Sequence, residues 1–125
     1  MQLALLPYSI AIARLSPGQE VPQWAWENKA FLSVTYTADE LSIVCPGSSV
    51  PADVRSERGW VAIKVQGPLD FSLTGVLAAL ASPLAANGIS IFAISTFDTD
   101  YLLVKEQDLL RAKEALERAG HTLIC

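Results

Sequence analysis

In the second half of the chain Val61, Ile63 and Val65 alternate with Lys64 and Gln66, and this period of two predicts a strand with one buried face. Leu73, Val76, Leu77, Leu80 and Leu84 then recur at helical spacing, with Ser72 as the expected cap and Pro83 expected to kink or restart the helix. Asn87-Gly88 ends that helix in a turn. The β-branched and aromatic run Ile89 to Thr96 predicts a second strand, and Tyr101 to Lys105 a third. Asp108 is the expected N-cap of a helix over Leu109 to Ala119. Its Leu109, Ala112, Leu116 and Ala119 share one face, while Arg111, Glu114 and Arg118 lie away from it. Gly120 stops this helix, and His121 to Cys125 predicts a last short strand.

From about Trp60 the order is therefore β-α-β-β-α-β, the ferredoxin-like split unit of the α+β class, with an antiparallel sheet and both helices on one face. The first half repeats the order in reduced form: apolar Leu3 to Leu6 and Ile10 to Leu15, a short segment Val21 to Asn28, then Phe31 to Tyr36 and Leu41 to Cys45. Phe31 to Val44 reads as strand, acidic corner, strand, as Ile89 to Val104 does, which points to an internal duplication. The expected division is a degenerate unit over residues 1–57 and an intact one over 58–125. Pro46 to Pro51 and the charged Asp53 to Arg58 lead into the joining segment.

Composition narrows the function. The 125 residues allow one ordinary domain or two very small ones sharing a core, and a hydrophobic fraction of 51% is enough to build it. A net charge of −4 without a basic stripe argues against nucleic acid. Cys45 and Cys125 are far apart with no Cys or His at ligand spacing, so they are expected to be reduced packing thiols, with no metal. Met1 to Pro7 has no basic residue before its brief apolar run, which argues against a secretory leader and for a cytoplasmic protein. Leu73 to Ile94 carries no charge over a length that would span a bilayer, but Pro83 and Asn87-Gly88 divide it into core helix and core strand, and no membrane role is expected. Trp24 and Trp26 are expected to fill a core or interface before serving as a stacking platform.

The candidate chemistry lies where Ala93-Ile94 gives way to the polar corner Ser95-Thr96-Phe97-Asp98-Thr99-Asp100 before Tyr101-Leu102-Leu103-Val104. With the segment opened by Gly67-Pro68-Leu69-Asp70-Phe71-Ser72, two backbone corners are placed to converge on one small polar molecule. Catalysis has little to work with. The single histidine, His121, stands near the chain end where a structural role is expected, and Asp98 and Asp100 come with no glycosidase or metal pattern. No phosphate-loop or dinucleotide motif occurs, so no cofactor is expected.

Gly67-Pro68-Leu69-Asp70-Phe71, Gly75-Val76, Ser82-Pro83-Leu84-Ala85-Ala86, Ile89-Ser90 and Ile94 to Asp100 together resemble the ACT-domain family of ligand-binding regulatory modules. The resemblance is to tandem ACT modules of bacterial proteins, similar to those of an animal cytosolic arginine sensor and of aspartokinase regulatory regions. It covers residues 60 to 105 well, the last helix by order, and the first half weakly. It implies two ACT-like units with an amino acid held where they meet, between the loop Leu69, Asp70, Phe71, Ser72, Leu73, Thr74, Gly75 and the corner Ser95, Thr96, Phe97, Asp98, Asp100. The first-half loop Ser16 to Pro22 departs from this pattern, so at most one site per chain is expected.

A zwitterion needs acceptors for its ammonium and donors for its carboxylate. Asp100, with Asp98 or Asp70 as substitutes, offers the acceptors, and the helix-start amides of Ser72, Leu73 and Thr74 the donors. From Gln66 to Val104 there is no Lys, Arg or His, which favours a neutral or basic amino acid. The expectation is a regulatory, non-enzymatic amino-acid sensor, a homo-oligomer acting on an unknown protein target. The alternative is a ligand-independent homo-oligomeric interaction module with a vestigial pocket.

Overall fold

The expected succession of elements is present as β1 (Gln2–Leu5), β2 (Ile10–Leu15), β3 (Ser33–Tyr36), β4 (Leu41–Pro46), β5 (Ser56–Val65), α1 (Val76–Ala86), β6 (Phe92–Ser95), β7 (Asp100–Lys105), α2 (Leu109–Arg118) and β8 (Thr122–Ile124). They belong to a computed structural model that describes residues 1–67, 69 and 74–124. Two units emerge, Met1–Pro7 with Val61–Cys125, and Tyr8–Trp60.

In the C-terminal unit the strands run in the order β8-β1-β5-β7-β6. Val61, Ile63 and Val65 of β5, Leu102 and Val104 of β7, Leu3 and Leu123 form one core with Leu80 and Leu84 of α1 and Ala112, Ala115 and Leu116 of α2. Alternate strand residues meeting both helices place the helices on one face, as the period of two requires. Ala62, Lys64, Tyr101 and Leu103 fall on the other. Both helices end in the same way. Gly88 and Gly120 take positive φ, and the following N–H groups of Ile89 and His121 reach back to Leu84 and Leu116, each at 3.0 Å.

Three local expectations change. Helix α1 passes through Pro83 as one element and does not restart there. Proline has no N–H to offer the Ala79 carbonyl, and that carbonyl instead lies 3.3 Å from His121 Nε2. Gly75 stands at the N-cap of α1, while Ser72, expected there, lies outside the described residues. Asp108 does stand at the N-cap of α2 but makes no side-chain capping bond; its carboxylate pairs with Arg111 at 3.0 Å.

β1 changes the sheet. It pairs antiparallel with β5 and parallel with β8, standing between the strands that a simple split unit sets side by side. The unit is therefore not purely antiparallel. This grouping also differs from the division expected at 57/58, because the fully buried Leu3 joins the core with Ile63, Val65 and Leu123. Burying such a side chain is worth about 1.5–3 kcal/mol.

The N-terminal unit keeps the split-unit order with its helices shrunk to 3-10 turns at Gln23–Trp26 and Gly47–Ser49. Its strands run β3-β4-β2-β5, the last supplied by the charged segment that had read as a connector. Ala11, Ala13, Leu41, Ile43, Cys45 and Val50 make its core, with Trp24 packed against them. Trp26 is more exposed, and the Lys29 ammonium stands 5.8 Å over its ring. The β3–β4 and β6–β7 hairpins match pair for pair at one constant spacing along the chain. Ser33 faces Val44 as Phe92 faces Leu103, and Tyr36 faces Leu41 as Ser95 faces Asp100. Burial pushes the Cys45 thiol up from its ordinary value, with Arg58 opposing part of the rise. Iodoacetamide followed by peptide mapping should therefore modify Cys45 only after unfolding; rapid modification of the native protein would contradict its burial.

Candidate functional site

The end of β5 and the β6–β7 corner are stitched together by short bonds. Thr99, buried with 4% exposure, donates its hydroxyl to the Val65 carbonyl at 2.6 Å. The Leu69 N–H donates to the Asp98 carbonyl at 2.7 Å. Within the corner the Thr96 N–H meets the Thr99 carbonyl at 2.8 Å, and the Thr96 hydroxyl accepts from the Thr99 N–H at 3.3 Å. A two-residue turn is so closed without any non-glycine residue at positive φ. Gly67 lies between the Val65 and Leu69 bonds, close against the corner. A Cβ there would stand 3.1 Å from the Asp98 carbonyl oxygen, so a side chain would wedge the two segments apart.

These bonds frame a cleft of about 290 Å³ lined by Lys64, Gln66, Gly67, Thr96, Asp98, Thr99 and Tyr101. Lys64 and Tyr101 reach it because each alternates with a core residue and so faces away from the helices. Among the described residues the cleft lining carries one cation, one carboxylate and several hydroxyl, amide and carbonyl groups. No ion pair within 4 Å occupies Lys64 or Asp98 among the described residues. Such a set can receive a carboxylate at one end and an ammonium at the other.

Of the expected site residues, Thr96 and Asp98 line this cleft. Ser95 and Asp100 do not; the Ser95 hydroxyl donates to the Asp100 carboxylate at 2.5 Å across the last pair of the hairpin. Phe97 sits at the tip, 78% exposed. Leu69 is half-buried against the helical core, and Thr74 and Gly75 are exposed ahead of α1. Asp70, Phe71, Ser72 and Leu73 lie outside the described residues. Sequence reasoning passed over Lys64, Gln66 and Tyr101 as cleft-lining positions, and held Gly67 and Thr99 only as members of the two corners. The signal for Lys64 was its place on the polar face of β5, just outside the window searched for cations. The expected absence of a local cation therefore does not hold for the cleft.

Replacing Thr99 by Val removes a hydroxyl donor from the buried Val65 carbonyl while keeping the shape. It should lower stability by about 1–2 kcal/mol, measured by chemical denaturation, whereas Thr96→Val should cost less because that hydroxyl lies in an exposed corner.

Residues 55–118, which contain this cleft from β5 to β7, match the family model described as the ACT domain. The chain belongs to the ACT-domain family. A second model, described as an N-terminal domain, matches residues 8–53, within the N-terminal unit. A bovine (Bos taurus) protein, the cytosolic arginine sensor for mTORC1 subunit 1, is 42% identical over 97 residues, covering 71% of this chain but 30% of its own length. The chain thus spans under a third of that relative. A solved structure of a protein from Agrobacterium tumefaciens is 47% identical with a TM-score of 0.92, covering 98% of this chain and 91% of that one. The regulatory subunit of aspartate kinase from Thermus thermophilus, in its ligand-free form, shares the fold at a TM-score of 0.59 and 14% identity, covering 94% of this chain and 96% of that one. The ACT fold here is thus a regulatory fold related to those of amino-acid sensors and aspartokinase regulatory domains. No described helix is long and apolar enough to cross a membrane.

Proposed function

We propose that this protein is an amino-acid-binding regulatory module that holds its ligand where two ACT units meet, the cleft of the C-terminal unit supplying one wall. The observation that carries the reading is the presence of Lys64 and Asp98, neither in an ion pair among the described residues, in the lining of one cleft of an ACT unit. In this role Lys64 receives the ligand carboxylate and Asp98 its ammonium. Asp98 thus takes the part first given to Asp100, whose carboxylate is engaged by Ser95. Among the described lining residues one cation stands against one carboxylate, which suits the two charged ends of a zwitterion whose side chain is neutral or basic. Regulation follows if the ligand favours one conformational or assembly state, since equal affinity for both shifts nothing.

A second copy of this chain is the proposed partner in assembly. Among the described strands β6 pairs only with β7, which leaves an unpaired edge in the C-terminal unit. Location in the cytoplasm and an unidentified protein target belong to the same reading.

Thermal unfolding of the purified protein with each of the twenty L-amino acids at millimolar concentration tests it. A ligand binding only the native state at a hundred times its Kd adds about 2.7 kcal/mol. The expected result is a selective rise in Tm that Asp98→Ala and Lys64→Ala abolish. No rise with any amino acid, together with unchanged assembly in sedimentation, would overturn the reading in favour of a ligand-independent interaction module.

A further inference from the structure

The turn bonds of the corner that frames the C-terminal cleft recur in the N-terminal unit. The Thr37 N–H donates to the Glu40 carbonyl at 2.9 Å, as Thr96 does to Thr99 at 2.8 Å. The Thr37 hydroxyl accepts from the Glu40 N–H at 3.1 Å, as that of Thr96 accepts from Thr99 at 3.3 Å. The carbonyl of the third corner residue, Asp39 here and Asp98 there, is held in each case. The Arg14 guanidinium donates to the first at 2.9 Å and the Leu69 amide to the second at 2.7 Å. Arg14 stands one place before the end of β2, as Lys64 does in β5.

This second corner also borders a cleft, about 210 Å³ in volume, whose charged lining is Arg14, Arg55, Glu40 and Glu57, with Ser42 and Ser56 between them. β2 runs through the middle. Its Arg14 faces Ser42 of β4, its Ala13 and Ile12 face Ser56 and Glu57 of β5, and its backbone N–H at Arg14 donates to the Arg55 carbonyl at 3.0 Å. The two guanidinium groups and two carboxylates share this cleft, yet among the described residues no ion pair within 4 Å joins any of them. Among the described residues the Arg55 side chain donates no hydrogen bond. Arg14, Arg55 and Glu57 are exposed, and Glu40 is half-buried.

We infer that this cleft of the N-terminal unit is a second ligand site, taking an α-amino acid by its charged ends. Arg55 supplies a planar fork for the carboxylate, with Arg14 beside it, and Glu57 and Glu40 accept from the ammonium. The sequence had argued against a second site because the Ser16 to Pro22 loop departs from the motif of the second half. The equivalence is carried by the hairpin corner and the adjoining strand, not by that loop. The inference takes its ligand class from the function proposed for the C-terminal cleft, and a test must separate the two.

Amide-resolved NMR titration of the full chain with each of the twenty L-amino acids at millimolar concentration does so. The expected result is saturable shifts of the Ser42, Ser56 and Glu57 amides for at least one amino acid. Apparent affinity there should weaken tenfold or more in Arg55→Gln and in Glu57→Gln, and be unchanged in Asp98→Ala. Circular dichroism and native-like spectra of the three variants confirm that they fold. Saturable shifts confined to Thr96 to Tyr101 and lost in Asp98→Ala would overturn this inference and leave the proposed function standing. Shifts confined to the N-terminal cleft would support the inference and overturn the site proposed in the C-terminal unit. Absence of saturable shifts at both would overturn both.

Discussion

Leu102→Ala is expected to be the more damaging of two informative substitutions, lowering stability by about 2–5 kcal/mol. Leu102 is 1% exposed and lies in the core that β7 shares with both helices. Truncation leaves a void under α1 and α2, which are held by their own Schellman ends and cannot close over it without shifting a helix. The loss should appear as a fall in Tm of roughly 10 °C or more, with the midpoint of denaturant unfolding moving accordingly. Because Tyr101 and Leu102 are neighbours facing opposite sides of the sheet, the cleft should remain formed in the fraction that stays native. Ligand affinity at low temperature should change little, and a loss of affinity matching the loss of stability would show that the cleft depends on the core as one unit.

Gly67→Ala should act the other way round, with a moderate cost in stability and a severe effect at the cleft. Its added methyl would stand 3.1 Å from the Asp98 carbonyl oxygen, 3.2 Å from the Leu69 nitrogen and 3.2 Å from the Thr99 Cβ. Two of these neighbours are backbone and cannot rotate away, so relief requires the corner to move. That strain costs about 1–3 kcal/mol and loosens the bonds from Leu69 to Asp98 and from Thr99 to Val65. The expected readout is loss of any amino-acid-dependent rise in Tm. Gly75→Ala is the control: its φ of 76° strains a side chain, but nothing lies within 4 Å of the added methyl. It should lower stability by about 1–2 kcal/mol while keeping the ligand response. Equal retention in both variants would show that the Gly67 contact does not shape the site.

Much of the fold was legible because period and punctuation are local. Alternation at Val61, Ile63 and Val65 and the amphipathic spacing of Ala112 and Leu116 each have one energetically sensible reading, and Gly88 and Gly120 mark helix ends because αL backbone suits glycine. The acidic corners at Asp39 and Asp98 were likewise visible, and with them the duplication. The site was less legible. Asp98 and Asp100 are equivalent in type, but the hairpin register sets Asp100 opposite Ser95 and leaves Asp98 at the cleft.

By itself, then, the sequence determined the element types and split-unit order of the C-terminal half from Val61 onward and the ACT character of residues 60 to 105. Tertiary structure alone decided which strands pair. It put β1 between β5 and β8, made Ser56 to Trp60 the fourth strand of the N-terminal unit, and brought Lys64 and Asp98 to one cleft. The physical reason is range. A residue's preference for strand, helix or turn is set by its own backbone and nearest neighbours, whereas a strand's partner is chosen by burial and hydrogen bonding summed over residues distant in the chain.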